Sequence, residues 1–252
     1  MLNLLLYSYM FIIGLVFGSF FNVVGIRTAD GESIAAPRSH CPRCNHYLTA
    51  SELVPVVSYL LQNGCCKNCG SPISIRYPLF ELLTACLFTI SPMVAGWSKD
   101  LLVVLLLVSL VVIITVSDTY KMLIPNRVLL FFFPVMVIVR LFIPTTPWWD
   151  AYAGALLGFA LLLLIAVASK GGMGGGDIKL FAVLGLFLGI KGTVLTLVLA
   201  AILGLLYALV LLAAKKLNRK EPIPFGPFIG AAALISYVYS ESIWASYLKL
   251  LT

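Results

Sequence analysis

The chain has 252 residues, of which 61% are hydrophobic and only 11% charged, with a net charge of +7. A soluble domain carries about 25% charged residues, so this composition excludes an ordinary soluble fold. The basic excess comes with no stripe of interleaved aromatics, which argues against nucleic acid as a partner.

Apolar stretches recur over 4–24, 79–96, 101–117, 128–143, 151–169, 178–190, 193–214 and 225–247. Most are close to the 17–25 residues or so that a helix needs to cross a hydrocarbon core of roughly 30 Å. They predict an all-α polytopic membrane protein with about eight transmembrane helices. The sixth stretch is short and interrupted by glycine, as in a segment supported by neighbouring helices. The first has no Lys or Arg before Arg27 and no small-residue cleavage site, so it reads as a retained helix and not a removable signal peptide.

Basic residues collect on the cytosolic side of membrane segments. Eight spans put Arg27, Arg38, Arg43, Lys67, Arg76, Lys121, Arg127, Lys170, Lys179, Lys215, Lys216, Arg219 and Lys220 inside. Only Lys99, Lys191 and Lys249 fall outside, and Arg140 lies within the fourth span. Both termini are therefore expected outside, with Trp148 and Trp149 in an external interfacial turn. The expected division is a first helix over 1–26, a cytosolic loop domain over 27–78 and a membrane core over 79–252.

The loop holds Cys41-Pro42-Arg43-Cys44 and Cys66-Lys67-Asn68-Cys69, two C-x-x-C pairs separated by 21 residues. This spacing resembles a zinc ribbon, in which Cys41, Cys44, Cys66 and Cys69 would hold a structural zinc ion. A reducing cytosol disfavours the disulfide alternative. Cys65 could replace Cys66 in a shifted register, and His40 and His46 flank the first pair. Cys86, inside an apolar span, reads as a buried thiol. Between the pairs, Leu53, Val54, Val57, Leu60 and Leu61 recur at helical spacing, with Ser51 available as N-cap. They predict a short helix packed on the ribbon, or lying on the membrane surface.

Few acids remain near the membrane. Asp118 follows the third span directly and precedes Ile124-Pro125-Asn126. Asp177 closes the run Gly171-Gly172-Met173-Gly174-Gly175-Gly176 and opens the sixth span. The topology puts both at one membrane boundary, where ionisable groups are costly and point to function. Two carboxylates brought together share one proton, a state suited to peptide hydrolysis: one accepts a proton from water while the other polarises the scissile carbonyl. Helix capping is the bland alternative for each. Glu81, after Arg76-Tyr77-Pro78, is a third candidate, with a first-turn helix acid as its plain reading. A transporter using intramembrane aspartates is the rival function. It predicts acids near the midplane and repeat symmetry, and the sequence offers neither.

These residues resemble the type IV prepilin leader peptidase/N-methyltransferase family. The resemblance runs from Gly18-Ser19-Phe20-Phe21-Asn22-Val23-Val24 through both cysteine pairs and Arg76-Tyr77-Pro78-Leu79-Phe80-Glu81. It continues with Asp118 and Ile124-Pro125-Asn126, Gly172-Met173-Gly174-Gly175-Gly176-Asp177 and Pro224-Phe225-Gly226-Pro227. It implies that Asp118 and Asp177 are the catalytic pair of a G-x-G-D membrane aspartyl protease. The implied substrates are prepilins or pseudopilins, cut at the cytosolic face of the bacterial inner membrane after the glycine that ends a short basic leader. It also implies N-methylation of the new N-terminus with S-adenosylmethionine. No residue is assigned to that donor, since the Rossmann glycine fingerprint is absent from the loop.

Overall fold

A computed structural model describes residues 2–170, 172–214 and 223–251. The predicted positions Gly171, Lys215, Lys216, Arg219 and Lys220 lie outside the described residues. The chain forms two compact units, 1–116 and 117–252. Helices α1 (Leu2–Asp30), α2 (Val57–Leu61) and α3 (Arg76–Ala95) belong to the first, and α4 (Asp100–Lys121) passes from it into the second. The second holds α5 (Asn126–Phe142), α6 (Asp150–Ala168), α7 (Gly175–Ala213) and α8 (Gly226–Leu251). Among the described residues there is no β-strand beyond isolated bridges in the cysteine loop. The protein is an all-α, multi-pass membrane protein.

Among the described residues six helices are long and apolar enough to cross a membrane: Leu4–Asp30, Arg76–Ala95, Asp100–Lys121, Asp150–Ala168, Gly175–Ala213 and Gly226–Lys249. The difference from the eight predicted spans has two sources. The fourth predicted span is α5, which has only 17 residues. The sixth and seventh are the two arms of α7, which turns at Gly189 so that Gly158 of α6 meets both Phe181 of the first arm and Thr193 of the second.

Packing in each unit relies on small residues that let backbones approach, because lipid tails give apolar side chains no reason to prefer one another. In the first unit Gly14 and Gly18, one helical turn apart on α1, face Ala85 and Glu81 of α3. In the second, Gly154 and Gly158 of α6 meet the α7 backbone around Gly189 and Phe181, and Gly185 of α7 faces Ala155 of α6.

The kink in α7 is held from both sides. Gly189 has φ 65°, a conformation favouring glycine, and the space a Cβ would take is occupied by the Asp150 carboxylate. Asp150 Oδ1 accepts the N–H of Ile190, which opens the second arm, at 3.3 Å. Arg140, buried at 7% exposure, caps the first arm by donating to the carbonyls of Leu186 and Phe187, each at 2.8 Å. A break in a membrane helix frees backbone groups that water cannot readily reach. The Arg140 cation also suits the negative end of a helix dipole.

The segment between the cysteine pairs departs from its expected form. Ser51 lies inside a 3-10 turn, Ala50–Glu52, and is not an N-cap; Thr49 precedes the turn. Its N–H and hydroxyl donate to the Glu52 carboxylate at 2.9 and 2.8 Å. Helix α2 starts only at Val57 and has five residues. Its leucines do not pack on the ribbon: Leu60 is 66% exposed and Leu61 79%.

Candidate functional site

Two sites emerge, one in each unit. In the first, Cys41, Cys44, Cys66 and Cys69 bring their sulfurs within 4.8 Å of one another. Two matching turns build the cluster. Cys41 receives a bond at its carbonyl from Asn45 N–H and donates its own N–H to His46 O; Cys66 does the same with Gly70 and Ser71. Asn45 and Gly70, in equivalent places, both have positive φ. Sulfurs bound tetrahedrally at about 2.3 Å from zinc lie roughly 3.8 Å apart. Cys41–Cys69 is 3.8 Å and Cys44–Cys66 is 3.9 Å. The cluster therefore fits a structural zinc, with Cys66 and not Cys65 as the third ligand.

Neither histidine joins the cluster. His40 Nδ1 lies 3.0 Å from the Arg38 carbonyl, and His46 pairs with Glu52 at 3.3 Å. The local hydrogen bonds favour thiolates. The N–H of Arg43, then the Ser71 hydroxyl and the N–H of Cys44, hold the Cys41 thiol down to about 6. The Ser71 hydroxyl likewise lowers Cys69. Cys66 receives N–H bonds from Cys69 and Asn68, but burial and the neighbouring thiols outweigh them and raise it. The N–H of Thr49, then its hydroxyl, keep the Glu52 carboxyl down near 2.

In the second unit, the last turn of α4 brings Asp118 and the first turn of α7 brings Asp177 to one place. Asp118 is buried and Asp177 half-buried. Three local features create this meeting. Gly176 lets α7 start against the side chain of Ile124, where a Cβ would come within 2.9 Å. Asn126 accepts a hydrogen bond from Lys179 at 3.0 Å, tying α7 to the start of α5. Gly226, the first residue of α8, donates its N–H to Asp118 Oδ2 at 2.6 Å. The Ile124-Pro125-Asn126 turn and the glycine run thus act on each other. Among the described residues nothing lies within 4 Å of where a Cβ on Gly175 would be, so that side of the run is open to them.

The partnership of Gly226 with Asp118 is the part of this site that the sequence does not show directly. The Pro224–Pro227 segment stands out as a motif, but a backbone donor has no side-chain signature. The partners of Glu81 are within the first unit. It is 7% exposed on α3 in the first unit, where it accepts the N–H of Val56 at 2.7 Å and bonds with the Ser19 hydroxyl.

Residues 12–94 match the Bacterial Peptidase A24 N-terminal domain, and residues 105–209 match the Type IV leader peptidase family. The chain is 43% identical, over 96% of its length and 98% of the relative's, to the prepilin leader peptidase/N-methyltransferase of Bacillus subtilis (strain 168). It is 34% identical to the protein of that name from Aeromonas salmonicida, over 97% of this chain and 94% of the other. With the Neisseria gonorrhoeae protein it shares 32% identity over 92% and 90% of the two chains. No solved structure matches the chain.

Proposed function

Since the chain belongs to the type IV leader peptidase family, we propose that it removes the short basic leader from prepilin or pseudopilin substrates, with Asp118 and Asp177 as the catalytic pair. The observation that carries this reading is that two acids 59 residues apart in sequence stand at the end of α4 and the start of α7, where Gly176 packs on Ile124 of the turn that follows Asp118. The ionised carboxylate takes a proton from the attacking water. The protonated one hydrogen-bonds the scissile carbonyl, and a proton then passes to the departing amine. Gly226 N–H fixes Asp118 Oδ2 and leaves the other oxygen of that carboxylate to work.

The thirteen-to-three asymmetry of Lys and Arg supports a topology with both termini outside and the acids at the cytosolic boundary. A substrate with a basic cytosolic leader and an apolar membrane helix would present its junction at that level. In functional terms we divide the chain into a first helix over 1–26, a cysteine loop domain over 27–78 and a peptidase core over 79–252. The relatives' second name supports N-methylation of the new N-terminus, with S-adenosylmethionine supplying the methyl group. In the loop, Cys41, Cys44, Cys66 and Cys69 would hold zinc in a closed, structural role with no open position for a water.

The test is co-expression with a prepilin substrate. Asp118→Asn and Asp177→Asn, which nearly preserve shape, should each leave the protein inserted in the membrane and abolish processing. Normal cleavage by either variant would remove the aspartate mechanism.

A further inference from the structure

We propose that the segment from Leu53 to Leu61 is an interfacial membrane anchor, pinned at its depth by Glu81, which seats the cysteine loop on the lipid bilayer. The inference does not depend on the peptidase reading. It starts from a strained turn. Val56 has φ 61° and ψ −50°, and the N–H of Val57 bonds the Pro55 carbonyl at 2.6 Å. This is the positive-φ γ-turn, which is rare and strained, and a β-branched residue is an outlier there. Strain of this kind persists only where the surroundings enforce it. Here the turn aims the Val56 N–H at the buried Glu81 carboxylate, 2.7 Å away.

That bond sets a depth. Glu81 is five residues into α3, which begins at Arg76 and crosses the membrane with its 20 residues. At about 1.5 Å per residue, Glu81 is roughly 7.5 Å from the start of the span. Interfacial amphipathic segments bury their apolar faces to about 5–10 Å. The side chains flanking the turn suit that level. Val54, Val57, Leu60 and Leu61 are all exposed, as are Leu79 and Leu83 on α3 itself. The apolar surface of the loop is thus held beside a helix whose own exposed apolar residues face lipid. Four exposed aliphatic side chains at this depth have the bilayer as their natural solvent. Glu81 thereby gains a use that does not involve the reaction. Its carboxylate is the acceptor that fixes the anchor to the span, with Ser19 of α1 as its other partner.

The experiment places a benzophenone amino acid at single positions of the full chain, in vesicles of phosphatidylethanolamine and phosphatidylglycerol. Adducts are identified by mass spectrometry after irradiation. Leu79, on the span, is the positive control, and Asn68, exposed at the tip of the second cysteine pair, is the negative one. A probe at Leu61 should give phospholipid adducts in yield comparable to Leu79, with none above background at Asn68. Glu81→Leu should reduce the Leu61 adducts to the Asn68 level without affecting Leu79, and Glu81→Gln, which still offers an acceptor oxygen, should preserve them. A Leu61 probe that labels only protein, or nothing, overturns the proposal. Undiminished Leu61 labelling in Glu81→Leu overturns the role of Glu81 as the pin.

Discussion

Gly226→Ala probes whether α8 helps to build the acid pair. A Cβ at this position would lie 2.9 Å from Asp118 Cβ and 3.0 Å from its Oδ2. Carbon atoms pack comfortably at about 3.5–4.0 Å, so the methyl group displaces the Asp118 side chain, or the start of α8, by roughly 0.6 Å. The substitution keeps the Gly226 N–H, and alanine at the first turn of a helix is well tolerated. The effect should therefore be positional. A misplacement of about 1 Å in a reacting group can cost roughly a hundredfold, so kcat for prepilin cleavage should fall about tenfold to a hundredfold. KM should change little, because leader binding does not involve this methyl. The assay is cleavage of a purified prepilin in detergent or vesicles, with the melting temperature measured in parallel. An unchanged kcat in a folded, inserted Gly226→Ala enzyme would refute the claim that α8 positions Asp118.

Purified protein should contain about one zinc per chain, the capacity of one four-sulfur site, and Cys41→Ser with Cys44→Ser should lose it; metal-free wild type would exclude the zinc reading. Arg140→Met removes two short charge-assisted bonds to Leu186 and Phe187. At about 1.5 kcal/mol each this should cost roughly 3 kcal/mol in unfolding experiments, with Arg140→Lys between the two. Glu52 has its carboxyl held near 2 in the folded loop, so folding favours its ionised form. Its contribution is complete above the ordinary carboxyl value and is lost as pH falls from about 4.5 to about 2. The gap in loop stability between wild type and Glu52→Gln should close over that window.

Hydropathy made the spans legible, because a chain in lipid must satisfy its backbone within helices. The division of α7 into two arms was visible too, although the stretch 178–190 runs one residue past the break at Gly189. The sulfur set was legible from spacing, and the choice of Cys66 over Cys65 needed the turns with Asn45 and Gly70 at positive φ. Other features were hidden for physical reasons. Asp150, beside Trp148 and Trp149, looks like a solvated acid at the start of a span; only the folded chain puts it against Gly189. Arg140 stood out as a cation inside a span, but its partners are carbonyls, which carry no sequence signal. The 53–61 segment has helical spacing, yet the γ-turn at Val56, whose N–H bonds Glu81, confines its helix to the five residues Val57–Leu61.

These particulars bear on how an aspartate at the start of a helix can be placed accurately in a membrane. The arm of α7 that carries Asp177 runs from Gly175 to the break at Gly189, about 21 Å at 1.5 Å per residue. A helix that short, in lipid, is free to slide and rotate unless its ends are tied. At its start, Gly176 sits on Ile124 and Lys179 bonds Asn126. At its far end, Arg140 holds the carbonyls of Leu186 and Phe187. Asn126 and Arg140 both belong to α5, and Ile124 is in the turn that leads into it. One helix therefore fixes both the height and the rotation of the arm. The same turn connects α5 to the end of α4, where Asp118 sits. The two acids are thus referred to a common frame.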